Sequence, residues 1–135
     1  SADNAHALHP NHPEKADPVN RSAINKGIVI KFNAAQHYTT DAVSCAVYRD
    51  LCESNDIPVQ VFTNRSDSRG GSTLGNVSNA HVSLNTVDIG LAQLAMHSCY
   101  ETAGAKDTKH LINAMTIFYS KTFRVDAGGS FELLD

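Results

Sequence analysis

The sequence predicts an α/β fold, because strand-like and helix-like apolar patterns alternate along it. β-branched runs at residues 27–32 and 59–63 have the composition of buried strands. Between them, apolar side chains recur at helical spacing from Thr39 or Thr40, either of which could cap the helix, to about Asn55. Such alternation favours a largely parallel sheet. The 135 residues suit a single domain, and 41% hydrophobic residues are enough for a core.

Residues 1–13 are predicted to be the end of a strand that runs into a loop. The carboxylate of Asp3 and three histidines, His6, His9 and His12, lie within ten positions, and two prolines exclude a regular helix. This histidine density suggests metal binding or acid–base chemistry, although the spacing fits no compact zinc module. A polar surface loop is an equally good interpretation.

The first predicted central strand, residues 27–32, contains one lysine, Lys31. A lysine at the end of a buried strand is usually an edge residue whose ammonium reaches water. At the carboxyl edge of a sheet it could instead meet a carboxylate of a ligand. The residues alone leave both interpretations open.

A polar, glycine-rich stretch, residues 64–75, follows the second strand and precedes a short helix predicted at 76–82. It has neither the P-loop spacing nor the dinucleotide-binding spacing. Its backbone amides could form a nest for an anion or a carboxylate at the start of the helix. An ordinary strand-to-helix turn is about as well supported.

A third strand is predicted to end at Gly90 and to lead into a loop that contains His97. Because a helix is expected after it, with Glu101 in its first turn, the loop should lie at the carboxyl edge of the sheet. The imidazole of His97 could ligate a metal or carry a proton. By residue type alone, a hydrogen-bonded structural histidine is the more common outcome.

The last helix is predicted to begin at Asp107, and a final short strand is predicted at 131–134, after two glycines that break the chain. The helix carries apolar side chains at core spacing. They are Leu111, Ile112, Met115, Phe118 and Tyr119.

Composition excludes some classes of partner. The net charge is −3 and the isoelectric point is near 6.1, without a basic patch, so we expect no nucleic-acid partner. No apolar run approaches the roughly 20 residues of a membrane span, so we expect no membrane partner. The three cysteines, Cys45, Cys52 and Cys99, form no CxxC pair, which favours a reducing, cytoplasmic location.

Four segments, in order along nearly the whole chain, resemble the aspartyl aminopeptidase family of dinuclear zinc exopeptidases. They are residues 1–11, 27–41, 68–75 and 88–98, the last reading DIGLAQLAMHS. Four motifs at compatible spacing are much more specific than any one of them. The family proteins are considerably longer, so the resemblance implies that residues 1–135 form the C-terminal portion of a three-layer, sheet-and-helix catalytic domain.

The resemblance also implies roles for five residues. Asp3 resembles a ligand to one zinc ion and His97 a ligand to the other. His6 resembles a substrate-contacting residue in the motif of Asp3, while Lys31 and Tyr38 resemble residues of the pocket for the substrate's N-terminal residue. The family prefers acidic N-terminal residues, and an ammonium and a phenol hydroxyl are suitable donors to a carboxylate.

The implied reaction removes N-terminal residues from peptides with two zinc ions per active site of the intact protein. A hydroxide held between the zinc ions attacks the scissile carbonyl, which one zinc polarises, and a glutamate transfers the proton from water to the leaving amine. The glutamate and the remaining zinc ligands precede the region that Ser1 begins, so no catalytic residue is expected in this chain. The intact protein is expected to form a homo-oligomer.

Two alternatives belong to other classes. One is a non-catalytic α/β domain or fragment kept for assembly or ligand binding, although the residues of the four motifs are all intact. The other, with less support, is a small-molecule domain that holds an anion at the Gly70–Gly75 turn.

Overall fold

A computed structural model describes residues 1–134, and its alternation of strands and helices confirms the α/β class. The strands are β1 (Ala5–His6), β2 (Ile28–Phe32), β3 (Val59–Thr63), β4 (Ile89–Gly90), β5 (Ala92–Leu94), β6 (Thr102–Ala103), β7 (Thr122–Val125) and β8 (Phe131–Leu134), and the helices are α1 (Ala42–Glu53), α2 (Leu74–His81) and α3 (Ala105–Ser120). A single 3-10 turn in the described part of the chain lies at Pro13–Lys15.

The central sheet has the order β3-β2-β4, and its strands do not all run in one direction. β2 and β3 are parallel from Ile28 and Val59 to Phe32 and Thr63. β4 is antiparallel to β2. Elsewhere β1 pairs with β5 in parallel, β5 with β6 in antiparallel, and β7 and β8 form a hairpin. The prediction of a largely parallel sheet is therefore wrong, because a buried apolar run has the same pattern in either direction.

The side chains of β2 alternate between two cores, as the pleat of a strand requires. Ile28 and Ile30 pack on one face against residues of α1 and α3, among them Leu51 and Ala114. Val29 packs on the other face with side chains from β1, β3, β5 and the loop before α1. The molecule therefore has a helical layer on one face of the central sheet and a second, smaller core on the other face.

Helix α1 begins with a capping box. The Asp41 carboxylate accepts a hydrogen bond from the backbone N–H of Ser44 at 2.7 Å, and the Ser44 hydroxyl accepts one from the backbone N–H of Asp41 at 3.0 Å. The prediction that Thr39 or Thr40 caps the helix is wrong. Both threonine hydroxyls are directed instead to residue 88, which a local pattern could not reveal.

Helix α3 begins at Ala105, two residues before the predicted start. The reason lies in Asp107, which is fully buried and accepts hydrogen bonds from the backbone N–H groups of Asn25 at 2.6 Å and Gly27 at 2.8 Å. Its carboxylate therefore holds the loop that enters β2 and does not cap the helix, whose N-cap residue is Gly104.

The apolar face of α3 is narrower than predicted. Leu111, Ala114 and Met115 pack into the core with Ile117. The assignment of three further side chains to the core is wrong, because the helix turns them outward. They are Ile112, 60% exposed, Phe118, 44%, and Tyr119, 78%.

Two shorter elements also differ from the expectation. Helix α2 begins at Leu74 instead of residue 76, and only Ile89 and Gly90 of the predicted third strand pair in the sheet. The cysteines Cys45, Cys52 and Cys99 are free thiols. Within residues 1–134, none of the helices combines the length and the apolar character needed to cross a membrane.

The N-terminal segment, residues 1–7, lies in parallel beside residues 87–93. Backbone N–H groups of Asp3, Ala5 and Ala7 donate in turn to the carbonyls of Ile89, Leu91 and Gln93 at 2.8–2.9 Å. Gly90 makes this approach possible, because a Cβ at this position would lie 2.0 Å from the carbonyl oxygen of Asp3. The pairing therefore joins two segments that are about 86 residues apart in the chain.

The variant Gly90→Ala should lower the free energy of unfolding by about 2–3 kcal/mol, because the added methyl group collides with backbone that has no room to move. Urea denaturation would measure the change. Gly71→Ala is the matched control, since open space surrounds a Cβ there, and its midpoint should stay at the wild-type value. Equal midpoints for the two variants would contradict the account of the pairing.

Candidate metal and substrate site

The predicted ligand Asp3 lies just before β1, with its side chain 52% exposed. Its carboxylate oxygen Oδ2 lies 3.8 Å from the ammonium of Lys31. Its main-chain N–H is bonded to Ile89, so the backbone is held while the carboxylate stays accessible. Such a side chain is available to bind a cation.

Lys31 extends from β2 toward Asp3 and is only 2% exposed. Its ammonium donates to the carbonyl oxygens of Asp3 at 2.9 Å and Asn4 at 3.3 Å, and lies 4.9 Å from the centre of the Tyr38 ring. Burial lowers the pKa of Lys31, while the charges of Asp3 and Asp88 act in the opposite direction. Two of three N–H donors thus hold the Asp3 segment, which leaves one for any ligand.

Tyr38 and His6 both contact one aromatic ring. Phe62, in β3, has its ring centre 6.5 Å from that of Tyr38 and 6.4 Å from that of His6. The buried Tyr38 hydroxyl accepts a hydrogen bond from the Asn64 side chain at 3.2 Å. The structure therefore brings Asp3, Lys31 and Tyr38 together, and Phe62 connects His6 to this group.

His6 carries a neutral ring at pH 7. Partial burial lowers its pKa from the ordinary 6.5, and the positive charges that His97 and Lys31 can carry lower it further. A neutral imidazole has one donor and one acceptor nitrogen. The pKa of His6 therefore responds to the charges of both Lys31 and His97.

His97 lies in an exposed turn after β5, with a left-handed backbone at φ 68°. Such a conformation is uncommon for residues other than glycine. The carboxylate of Glu101 accepts a hydrogen bond from the His97 backbone N–H at 2.6 Å and so holds the turn. The prediction of Glu101 at a helix start is wrong: the chain turns back into β6, which pairs antiparallel with β5. A glutamate four residues after a histidine gives no sequence signal for this role.

Asp88 is a site residue that sequence reasoning did not select. It is fully buried, and its Oδ2 oxygen accepts hydrogen bonds from the Thr39 N–H at 2.6 Å, the Thr39 hydroxyl at 2.9 Å and the Thr73 hydroxyl at 2.8 Å. Burial acts to raise the pKa of Asp88, but interactions with Ser1, Thr39 and Thr73 outweigh burial and hold the pKa below its ordinary value. The feature of the sequence that could have identified Asp88 is its position between Val87 and Ile89, as an acid inside an apolar run.

This network also bears on the glycine-rich turn. The Thr73 N-cap of α2 directs its hydroxyl to Asp88, and a Cβ on Gly75 would lie 3.1 Å from the same carboxylate. The start of the helix therefore already faces an anionic group of the protein itself. This arrangement gives no support to an anion-binding function of the turn.

Asp3 and His97 have the donor chemistry that zinc prefers, a carboxylate oxygen and an imidazole nitrogen. In residues 1–134, however, no three His, Cys, Asp or Glu side chains are grouped so that they could hold a metal ion. A zinc site needs three or four protein ligands. The described residues thus supply part of a donor set and complete no site.

Comparisons with known proteins match this arrangement to a peptidase family. Residues 1–119 match the family model described as aminopeptidase I zinc metalloprotease (M18). A probable M18 family aminopeptidase 2 of Clostridium acetobutylicum is 50% identical over 120 residues, which are 89% of this chain and 28% of that protein. The chain thus spans little more than a quarter of the length of this relative.

Solved structures of related chains have the same fold. A chain in the cryo-EM structure of the Ape4 and Nbr1 complex aligns with a TM-score of 0.86 and 39% identity, over 88% of this chain and 23% of that one. A chain of the S. cerevisiae mApe1 dodecamer aligns with a TM-score of 0.78 and 30% identity, over 89% of this chain and 26% of that one.

The variant Asp88→Asn should lower the free energy of unfolding at pH 7 by about 1–3 kcal/mol, because an amide replaces a carboxylate that accepts three buried hydrogen bonds. Since the pKa of Asp88 is lowered in the folded state, its contribution is present above the ordinary value of 3.8 and is lost as the pH falls through the folded-state pKa. The deficit of the variant should therefore shrink between pH 5 and pH 3.

Urea denaturation across this pH range would measure the deficit. Asp50→Asn, at an exposed position of α1, is the control and should leave stability nearly unchanged. A deficit for Asp88→Asn that stays constant with pH would contradict the proposed charge state.

Proposed function

Since the chain belongs to the M18 family of aminopeptidase I zinc metalloproteases, we propose that the whole protein is a zinc-dependent aminopeptidase. It removes N-terminal residues from peptides and prefers acidic ones. The observation that carries this proposal is the pairing of residues 1–7 with residues 87–93, which supports a common site for Asp3, His6 and the loop of His97. This chain contributes one wall of that site, and the rest of the protein contributes the remaining ligands and the general base.

In the proposed site Asp3 is a ligand to one of two zinc ions and His97 is a ligand to the other. When bound, the zinc ions supply Lewis acidity, which polarises a carbonyl and lowers the pKa of water. The accessible Asp3 carboxylate and the Glu101 hydrogen bond that fixes the His97 backbone support these roles. A fixed backbone limits the positions from which the imidazole can reach a metal ion.

His6 is proposed to contact the substrate. Its lowered pKa keeps the ring neutral at pH 7, so the ring can donate to a carbonyl oxygen or accept from an amide N–H. A neutral ring also adds no positive charge next to metal ions.

Lys31 and Tyr38 are proposed to favour an acidic side chain at the substrate's N-terminal residue. The support is the positive charge of Lys31, the N–H that its main-chain bonds leave unused, and the phenol of Tyr38 beside it. Because the ammonium is buried, its charge is weakly screened and acts strongly on a carboxylate nearby.

The whole protein is further proposed to act as a cytoplasmic homo-oligomer. One of the related structures, that of S. cerevisiae mApe1, is a dodecamer. Large apolar side chains on α2 and α3 face outward here, which supports further packing partners: Leu74 is 74% exposed, Val77 60%, Ile112 60% and Tyr119 78%. The free thiols of all three cysteines support a reducing compartment.

Replacing either proposed ligand, as Asp3→Ala or His97→Ala in the whole protein, should abolish zinc-dependent peptide hydrolysis while the fold is kept. The loss should exceed the roughly 10–100-fold effect typical of a residue that only orients a ligand. Initial rates with a glutamyl chromogenic substrate and the circular dichroism spectrum would test both parts. His81→Ala, an exposed histidine on α2, is the control and should keep full activity. Undiminished hydrolysis by His97→Ala would refute the assignment.

Lys31→Met should lower kcat/KM about tenfold more for glutamyl than for alanyl substrates, which is the typical effect of one charge-assisted hydrogen bond. The ratio of the two kcat/KM values is the measurement, with zinc content determined in parallel. If both substrates lose activity equally and zinc content falls, Lys31 serves only to hold the Asp3 segment.

A further inference from the structure

A cavity of about 500 Å³ opens beside His6. Its lining includes His6 at the end of β1, Gln93 in β5 and Phe62 in β3. Residues of two further segments, 15–22 and 63–69, also line it. The volume is within the range of pockets that bind small ligands or short peptides.

Positive charge is concentrated around this cavity. Four cationic side chains line it, Lys15, Arg21, Arg65 and Arg69, against the single carboxylate of Asp17. That carboxylate is already bonded to the backbone N–H groups that follow it, at residues 19 and 20. Because the chain as a whole has a net charge of −3, the local excess of cations is a feature of the cavity and not of the composition.

Several of these cations keep unused donors. Arg65 is engaged by Asp67 and by the main-chain carbonyl of Glu14, and so serves to shape the wall. Arg21 uses only its Nε, in a bond to the carbonyl of Asp17 at 3.1 Å. Within residues 1–134, the side chains of Lys15 and Arg69 make no hydrogen bond or ion pair, so their charged groups are available to a ligand.

We propose that this cavity binds a carboxylate in the part of a peptide substrate that follows the scissile bond. The proposal rests on the aminopeptidase function proposed above. Lys31 and Tyr38 do not line the cavity, but the ring of Phe62, which does, contacts the rings of both Tyr38 and His6. A substrate whose N-terminal side chain meets Lys31 would therefore extend past His6 toward Arg69, which can bind a carboxylate through two N–H groups.

The carboxylate has two possible sources, an acidic side chain downstream of the cleaved bond or the free C-terminus of a short peptide. Three tripeptide substrates separate them, all starting with glutamate followed by alanine. One ends in glutamate amide, one in glutamine amide, and one in glutamine with a free C-terminus. The first tests the side chain, the third tests the terminal carboxylate, and the second is the neutral reference.

With the whole zinc-loaded protein, we expect a carboxylate-bearing tripeptide to have about tenfold higher kcat/KM than the neutral reference, through a lower KM. Arg69→Gln should remove most of this preference, and a double variant that also carries Lys15→Gln should remove the rest. Lys109→Gln, an exposed lysine on α3, is the control and should retain the preference. The preference should also weaken at high salt, because these groups are partly solvated.

Equal losses for charged and neutral tripeptides in Arg69→Gln would overturn the proposal. If the wild-type protein cleaves no peptide, the proposed function fails. Equilibrium binding of fluorescent tripeptides then tests separately whether the cavity binds a carboxylate. Tighter binding of a carboxylate-bearing peptide, lost in Arg69→Gln, supports the cavity assignment, and equal binding overturns it.

Discussion

The buried ammonium of Lys31 is the interaction on which the arrangement of the site depends. It donates to the carbonyls of Asp3 and Asn4 and so fastens the segment that bears a proposed metal ligand to the central strand. The backbone N–H of the same lysine donates to the carbonyl of Asp88, whose carboxylate in turn binds Thr39. A buried charge is costly, and here nearby carboxylates and carbonyl dipoles offset that cost. One lysine therefore joins the first residues of the chain, strand β2 and the segment that leads into β4.

Much of the fold could be predicted from the sequence, and the parts that could not share a physical reason. β2, β3 and α1 carry strong local patterns, and each lies within a few residues of its predicted position. β1 was predicted only as the end of a strand within residues 1–13, and β5 and β6 were not predicted, because strands of two or three residues carry too little local pattern to be recognised. The outward side chains of α3 were misassigned because helical spacing indicates which face of a helix is apolar. It does not indicate how much of that face the neighbouring elements cover.

For the candidate site, the sequence indicated residue types better than their contacts. Asp3 and Lys31 were selected separately, and the structure places their charged groups 3.8 Å apart. The lysine was expected to face a ligand or water, but most of its donors serve the main chain, a role that depends on a neighbour 28 residues away. Asp88 was visible only as an acid in an apolar run, and Glu101 gave no signal because its partner is a backbone N–H in a turn. Contacts of this kind arise from tertiary structure and not from spacing.

The central claim is that this chain contributes Asp3 and His97 to a zinc centre completed by the rest of the protein. X-ray diffraction from crystals of the whole protein at the zinc absorption edge tests it directly, because anomalous scattering locates zinc independently of any assumed role. The account predicts two anomalous peaks, one within about 2.0–2.2 Å of an Asp3 carboxylate oxygen and one within the same distance of a His97 ring nitrogen. Zinc peaks bound by other side chains, with Asp3 and His97 outside coordination distance, would contradict it.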